Sequence, residues 1–152
     1  MPQTPLRWPA YLRIPPFVPV PLRHRRDGWS AVRQGEFVGW LAETGSVSEA
    51  AARVGASRES VYQLRRREGA VYFAAAWDFA LAAGAAGQGD IPAFPKLTGW
   101  ALSEAAHREV VAVRMRCGRY AGCSLKPSTS ALLRVLAQFD RGAPDPRAPG
   151  WW

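Results

Sequence analysis

The chain has 152 residues, a formal net charge of +8 and a sequence pI of about 10.5. This length allows one modest domain, or one small domain with an appendage. The basic balance favours a polyanionic partner: DNA, RNA or an acidic membrane surface. The two cysteines, Cys117 and Cys123, argue against a disulfide-rich secreted scaffold, and we expect both as reduced packing thiols.

Residues 1–28 carry seven prolines among five arginines. Because this proline density excludes a helix, we predict a disordered or partly extended basic arm. The arm could follow a phosphate backbone or reach a minor groove, or it could serve only as a solubilising tail. We see no apolar signal segment, and the longest apolar stretch, 71–87, is interrupted by Asp78. We therefore expect a cytoplasmic protein without a membrane span.

A helix-turn-helix DNA-binding domain is predicted over residues 29–86. Its first helix covers about 30–43, with Ser30 as the N-cap and Gly45 at the end. Phe37, Trp40 and Leu41 form an apolar stripe at helical spacing. We interpret this stripe, including the tryptophan, as core rather than as a binding surface.

Residues 46–66 have the spacing of two short helices joined by a tight turn. Ser46 and Glu49 stand at capping-box spacing at the start of a helix over 47–54. Gly55 follows where a left-handed residue stops a helix, and Ser57 caps the next helix. Alanines at 50–52 would let the second helix cross close to the first. The alternative is an ordinary helical hairpin with a solvated basic face.

The second helix places Val61 and Leu64 inward and a polar face outward. Arginines on that face could bond guanine edges, and a glutamine could bond adenine. Glu59 could accept a hydrogen bond from cytosine or hold Arg58 in place. Tyr62 could stack on a sugar or bond a phosphate. The proposed outward face comprises Arg58, Glu59, Tyr62, Gln63 and Arg66, and the phosphate contacts are Arg53, Arg65, Arg67, Ser48, Ser57 and Ser60.

A fourth helix is predicted over about 70–83, packing through Phe73, Ala76, Trp77, Ala80 and Leu81, while Tyr72 and Phe79 lie off that face. The off-face aromatics could instead mark a partner contact. A linker at 87–98 leads to a hairpin-helix module at 99–141, and residues 142–152 are predicted to be a disordered tail.

Inside the module we predict a short helix over 98–106, a strand over 109–116, a turn at 117–120, a return strand over 121–126 and a helix from 128–130 to 140. The hairpin could contact DNA as a wing. We favour a role in oligomerisation or packing on the last helix, because a two-stranded hairpin is marginal alone.

No catalytic or metal-binding constellation can be assembled from this chain. His24 and His107 are not at ligand spacing with the two cysteines, so we expect no metal. The glycines at 84–89 lack the lysine of a phosphate-binding loop, and the acidic residues form no acid–base pair. We therefore expect no cofactor and no enzymatic activity.

Residues 24–83 resemble a group of bacterial and prophage helix-turn-helix proteins. The matching strings are RDGW at 26–29, LAETGSV at 41–47, AAARVG at 50–55, SRESVYQLRRR at 57–67 and FAAAWD at 73–78. The resemblance implies a homeodomain-like fold of the kind also found in phage terminase small subunits. It implies double-stranded DNA as the partner.

We predict a mainly α protein with a three- to four-helix, homeodomain-like core and a C-terminal β-hairpin plus helix. The predicted function is sequence-specific duplex DNA binding as a transcriptional regulator, in a homo-oligomer because one recognition helix covers few base pairs. The first alternative is a DNA-packaging adaptor similar to a terminase small subunit. The second is a module that binds a protein partner instead of DNA.

Overall fold

The computed structural model describes residues 8, 13–22, 28–85, 109–127 and 129–142. Within these ranges the chain is mainly helical, with one two-stranded antiparallel hairpin and a helix after it, which confirms the predicted class at that level. The elements are α1 (Ala31–Thr44), α2 (Val47–Arg53), α3 (Arg58–Arg65), α4 (Val71–Ala85), β1 (Glu109–Arg116), β2 (Arg119–Pro127) and α5 (Thr129–Gly142). None of these helices is both long and apolar enough to cross a membrane.

Helix α1 begins and ends at the residues that the sequence indicates. The Ser30 hydroxyl accepts from the Arg33 backbone N–H at 3.1 Å. Gly45 adopts φ +71°, and its N–H closes the helix on the Leu41 carbonyl at 2.8 Å. Phe37 and Leu41 are fully buried, as predicted, whereas Trp40 is half-buried at the edge of the core.

The caps of α2 and α3 are also formed. The Ser46 hydroxyl accepts from the Glu49 N–H at 3.3 Å, but the Ser46 N–H donates to the Thr44 hydroxyl at 3.3 Å. A capping box has two reciprocal bonds, and only one of them is formed here. The Ser46 N–H, which would donate to the Glu49 carboxylate, donates to the Thr44 hydroxyl instead. Gly55 has φ +71° in the turn, and the Ser57 hydroxyl caps α3 at the Ser60 N–H, 3.1 Å away.

Helix α4 buries more of its circumference than its pattern predicted. Phe73 and Trp77 lie in the core as expected, yet Phe79 is also only 5% exposed. The expectation that Phe79 lies off the packing face is wrong, because the Trp8 ring covers it with ring centroids 6.1 Å apart.

The structure differs from the predicted disordered arm at Trp8 and at residues 13–22. The side chains of Trp8, Ile14, Phe17 and Val20 are all buried. Phe17 also forms an antiparallel bridge with Val111, with N–H to O distances of 3.1 and 2.9 Å. Ile14, Phe17 and Val20 are each three residues apart, the spacing that puts side chains on one side of an extended polyproline-type chain. Proline density excluded a helix here, but it did not exclude a packed extended segment.

The hairpin turn is tighter than predicted. Cys117 and Gly118 alone form it, with φ of +51° and +78°, the two positive angles of a type I′ turn. Arg119 and Tyr120, expected in the turn, therefore belong to β2.

The hairpin packs on α1. A Cβ added at Gly35 would overlap the Val111 side chain and lie 3.0 Å from the Cys123 sulfur. One added at Gly39 would overlap the Tyr120 ring. Because these two positions of α1 have no side chain, residues of both strands can pack directly against the helix backbone.

The described residues form two compact units, and the hairpin belongs to the unit that contains α1 to α4. Helix α5 belongs to the other unit, where Leu132, Leu133 and Leu136 are exposed. The predicted module at 99–141 joined the hairpin to the last helix; the structure differs because the hairpin is seated on α1. The predicted linker at 87–98, most of the helix at 98–106 and the tail beyond Gly142 lie outside the described residues.

Candidate nucleic-acid interface

Helix α3 has one anchored face and one exposed face. Val61 and Leu64 are fully buried, as predicted. Five polar side chains of α3 and the turn after it are exposed, and the structure places them where the sequence analysis expected: Arg58, Glu59, Gln63, Arg66 and Arg67.

Tyr62 does not stand freely on that outward face. Its half-buried ring packs on Trp77 of α4, with centroids 5.2 Å apart. The Arg58 guanidinium lies over the same ring at 5.5 Å from the centroid. Tyr62 is therefore a support for Arg58, and the prediction that it faces outward is corrected by the aromatic neighbour on α4.

The Arg65 side chain contacts two residues of α4, Asp78 and Trp77. Its guanidinium makes a two-point ion pair with Asp78, at 2.9 and 3.1 Å, and lies 5.0 Å from the Trp77 ring centroid. This ion pair links α3 to α4, and the phosphate contact of Arg65 stays a prediction. The Arg65–Asp78 pair is the single ion pair among the residues that the structure describes.

Of the three serines predicted as phosphate contacts, Ser48 is exposed on α2, and the hydroxyls of Ser57 and Ser60 each accept one internal hydrogen bond. Ser57 accepts from the Ser60 N–H, and Ser60 accepts from the Trp29 indole N–H at 3.0 Å. A hydroxyl carries a donor as well as acceptor lone pairs. The O–H donor of each serine is therefore not used by these two bonds and can bond an anionic oxygen.

Arg33 is a supporting residue that the sequence analysis missed. Its guanidinium donates to the carbonyls of Val54 at 3.0 Å and Gly55 at 2.9 Å. It also lies 5.1 Å from the Trp29 ring centroid. Carbonyls at a helix end need donors, so Arg33 fixes the turn between α2 and α3. The partners are 21 and 22 residues away, beyond the reach of any local pattern.

Arg53, at the end of α2, is exposed and held by stacking. Its guanidinium lies 4.4 Å from the centroid of the Trp40 ring, which in turn contacts the Tyr120 ring at 4.9 Å. The cation is thus positioned at the surface without an ion-pair partner among the described residues. This arrangement leaves its charge available to an external anion.

The two cysteines do not face each other across the hairpin. Cys117 is exposed in the turn, and Cys123 is half-buried with its thiol donating to the Val32 carbonyl at 3.1 Å. Burial raises the pKa of the Cys123 thiol, so the neutral form is favoured. Both thiols are free, and the described residues contain no group of three His, Cys, Asp or Glu side chains able to hold a metal.

No protein-family model, curated protein or solved structure matches this chain. The resemblance to prophage helix-turn-helix proteins therefore stays a prediction from the residues. The geometry of α2, α3 and the turn between them is the feature of the chain that bears on function.

Proposed function

We propose that this protein binds duplex DNA as a transcriptional regulator, with α1 to α3 acting as a homeodomain-like helix-turn-helix and α3 entering the major groove. One observation carries the proposal: α3 is anchored by Val61 and Leu64 and presents Arg58, Gln63 and Arg66 to solvent. Guanidinium and amide groups on one exposed helix face are the groups that read guanine and adenine edges.

The bonds that hold α3 in place suit a helix that contacts DNA bases, because base contacts require a fixed helix orientation. Trp29 holds the first turn of α3 through Ser60, and Arg33 holds the preceding turn through two carbonyls. Arg65 ties the end of α3 to Asp78. These bonds come from three different segments, so the helix is restrained along its whole length.

The proposed roles follow from exposure. Gln63 would bond adenine, and Arg58 and Arg66 would bond guanine. Arg53 and Arg67, exposed at the ends of α2 and α3, would contact phosphates and set the register. Glu59 would accept from cytosine or orient Arg58.

The test is selection of bound sequences from a random duplex library at near-physiological salt. We expect an enriched motif, and a repeated half-site if two copies bind together. The variant Gln63→Ala should lose preference at one base position, at a cost of about 1–3 kcal/mol for the preferred base. Arg134→Ala, at an exposed arginine of α5, is the control and should enrich the same motif as the unaltered protein.

An unenriched pool would contradict sequence-specific recognition. An unchanged motif with Gln63→Ala and Arg58→Ala would contradict the assignment of the reading face. Mass measurement of the protein on the selected duplex then gives the copy number. Two copies on two half-sites are expected of a regulator, whereas a closed ring of many copies would favour the packaging adaptor.

A further inference from the structure

A groove of about 840 Å³ lies beside the hairpin, away from the residues of α3 discussed above. It is lined on one side by β1 and β2 and on the other by residues 13–16. Four cationic side chains border it: Arg13, Arg114, Arg116 and Lys126. All four are exposed. Among the described residues, none of the four has an ion-pair partner, and no carboxylate lines the groove.

The inner surface of the groove is apolar. Ile14 and Val113 are buried there, and Met115 is half-buried beside them. The volume is within the range of protein ligand sites. A ligand for this groove therefore needs apolar groups facing inward and negative charge at its borders.

One backbone edge of β1 faces the groove, and beyond Val111 this edge has no strand partner among the described residues. Phe17 pairs with Val111 at the edge of β1 that is not bonded to β2. Pro15 and Pro16 have no backbone N–H, so this pairing cannot continue as a ladder. In the described chain, residues 13–16 make no backbone hydrogen bond to Val113 or Met115.

In an antiparallel ladder every second residue directs its N–H and C=O to the same edge. Val113 and Met115 follow Val111 at that spacing, so their backbone donors and acceptors face the groove. An extended peptide can satisfy such groups by adding as a strand.

We propose that this groove binds an extended acidic peptide of a partner protein, which pairs with the open edge of β1. Alternate side chains of the peptide lie on the Ile14–Val113 surface, and carboxylates on the intervening positions meet the bordering cations. A nucleic-acid strand fits less well: none of the described residues that line the groove is aromatic and able to stack on a base, and strand carbonyls would face phosphate oxygens. The inference does not depend on DNA binding by α3.

The probe is a short, capped, fluorescent peptide that alternates glutamate and valine, titrated into the full chain and followed by anisotropy. Lys126→Glu should weaken binding about tenfold or more, because it places a repelling charge at the border. Arg119→Glu is the matched control. Arg119 is also an exposed cation of β2 but does not line the groove, so binding should change far less.

A second probe uses the unaltered protein, so it does not depend on how the variants fold. A peptide of the same charge with a central proline lacks one backbone donor and should bind about tenfold more weakly. The amides of Val113 and Met115 should gain protection from hydrogen exchange when the alternating peptide binds.

Three results would overturn the proposal. One is equal binding of a lysine–valine peptide, which would exclude charge complementarity. Another is equal binding of the proline peptide without protection of the two amides, which would exclude strand pairing. The third is no peptide binding together with binding of an oligo-thymidine that Lys126→Glu abolishes, which would assign the groove to nucleic acid.

Discussion

Gln34 is the single polar side chain among the buried residues that the structure describes, with 0% exposure. Its carbonyl oxygen accepts from the Val20 N–H at 2.8 Å, and its amide nitrogen donates to the Val20 carbonyl at 3.2 Å. One side chain thus satisfies both backbone groups of a residue in an extended segment. Buried backbone groups need such partners, so Gln34 holds residues 13–22 against α1.

Replacing Gln34 by leucine should destabilise the protein strongly, although the volume is similar. The change leaves the N–H and C=O of Val20 without partners, at about 1–3 kcal/mol for each buried group. Urea denaturation measures the loss. Gln63→Leu, at an exposed glutamine of α3, should alter the free energy of unfolding by less than about 0.5 kcal/mol. Equal effects of the two variants would contradict the bridging role of Gln34.

At the same scale, Tyr62 and Arg65 show why a helical pattern does not assign every polar side chain to solvent. Both were expected to face DNA, and both contact Trp77 on α4. Their roles depend on where α4 crosses α3. By contrast Arg58, Gln63 and Arg66 are exposed as predicted, because no element covers that face within the described residues.

At the scale of the elements, the contact between α1 and the hairpin is set by Gly35 and Gly39. They are four residues apart, so they lie on one face of the helix. The Tyr120 ring fills the space at Gly39 and is held there by the Trp40 ring and by a bond from the Tyr120 N–H to the Glu43 carboxylate at 3.2 Å. Glycine at these positions is therefore a packing requirement.

Gly39→Ala should destabilise the protein even though alanine is the better helix former. The propensity gain is about 1 kcal/mol, whereas forcing Tyr120 away from its partners costs about 1–3 kcal/mol. In a Tyr120→Ala background the cost of displacement disappears, so the same change should become stabilising. Denaturation of the four proteins of this double-mutant cycle measures both signs. A stabilising Gly39→Ala in the presence of Tyr120 would show that the hairpin does not pack there.

At the scale of the whole unit, the N-terminal segment joins elements that are far apart in the chain. Phe17 pairs with the backbone of Val111, and its ring lies 6.2 Å from the ring of Phe73. Trp8 covers Phe79, six residues further along α4. The unit of α1 to α4 and the hairpin is therefore completed by residues before α1.

Phe17→Ala tests this role. Removal of a buried phenylalanine costs about 3–5 kcal/mol, which is a large part of the total stability of a domain of this size. Thermal or urea unfolding should show this loss, while Pro16→Ala, at an exposed neighbour, should cost far less. A disordered arm would give no loss for either change.

The sequence by itself determined the local features of this protein. The caps at Ser30, Ser46 and Ser57, the left-handed Gly55 and the start of the hairpin turn at Cys117 were all predictable in position, although the turn is two residues shorter than predicted. Each depends on bonds between residues no more than five apart, so spacing and residue type suffice. The buried face of α3 followed for the same reason, since helical periodicity defines it.

The tertiary structure alone decided which side chains support the candidate interface and where the N-terminal segment and the hairpin lie. The contacts of Arg33 with the α2–α3 turn, of Trp29 with Ser60 and of Phe17 with Val111 join residues 21 to 94 positions apart. No periodic pattern encodes such pairs, because they arise only when separate elements bury a shared apolar surface. The exposed face of α3 was thus predictable, whereas its supports were not.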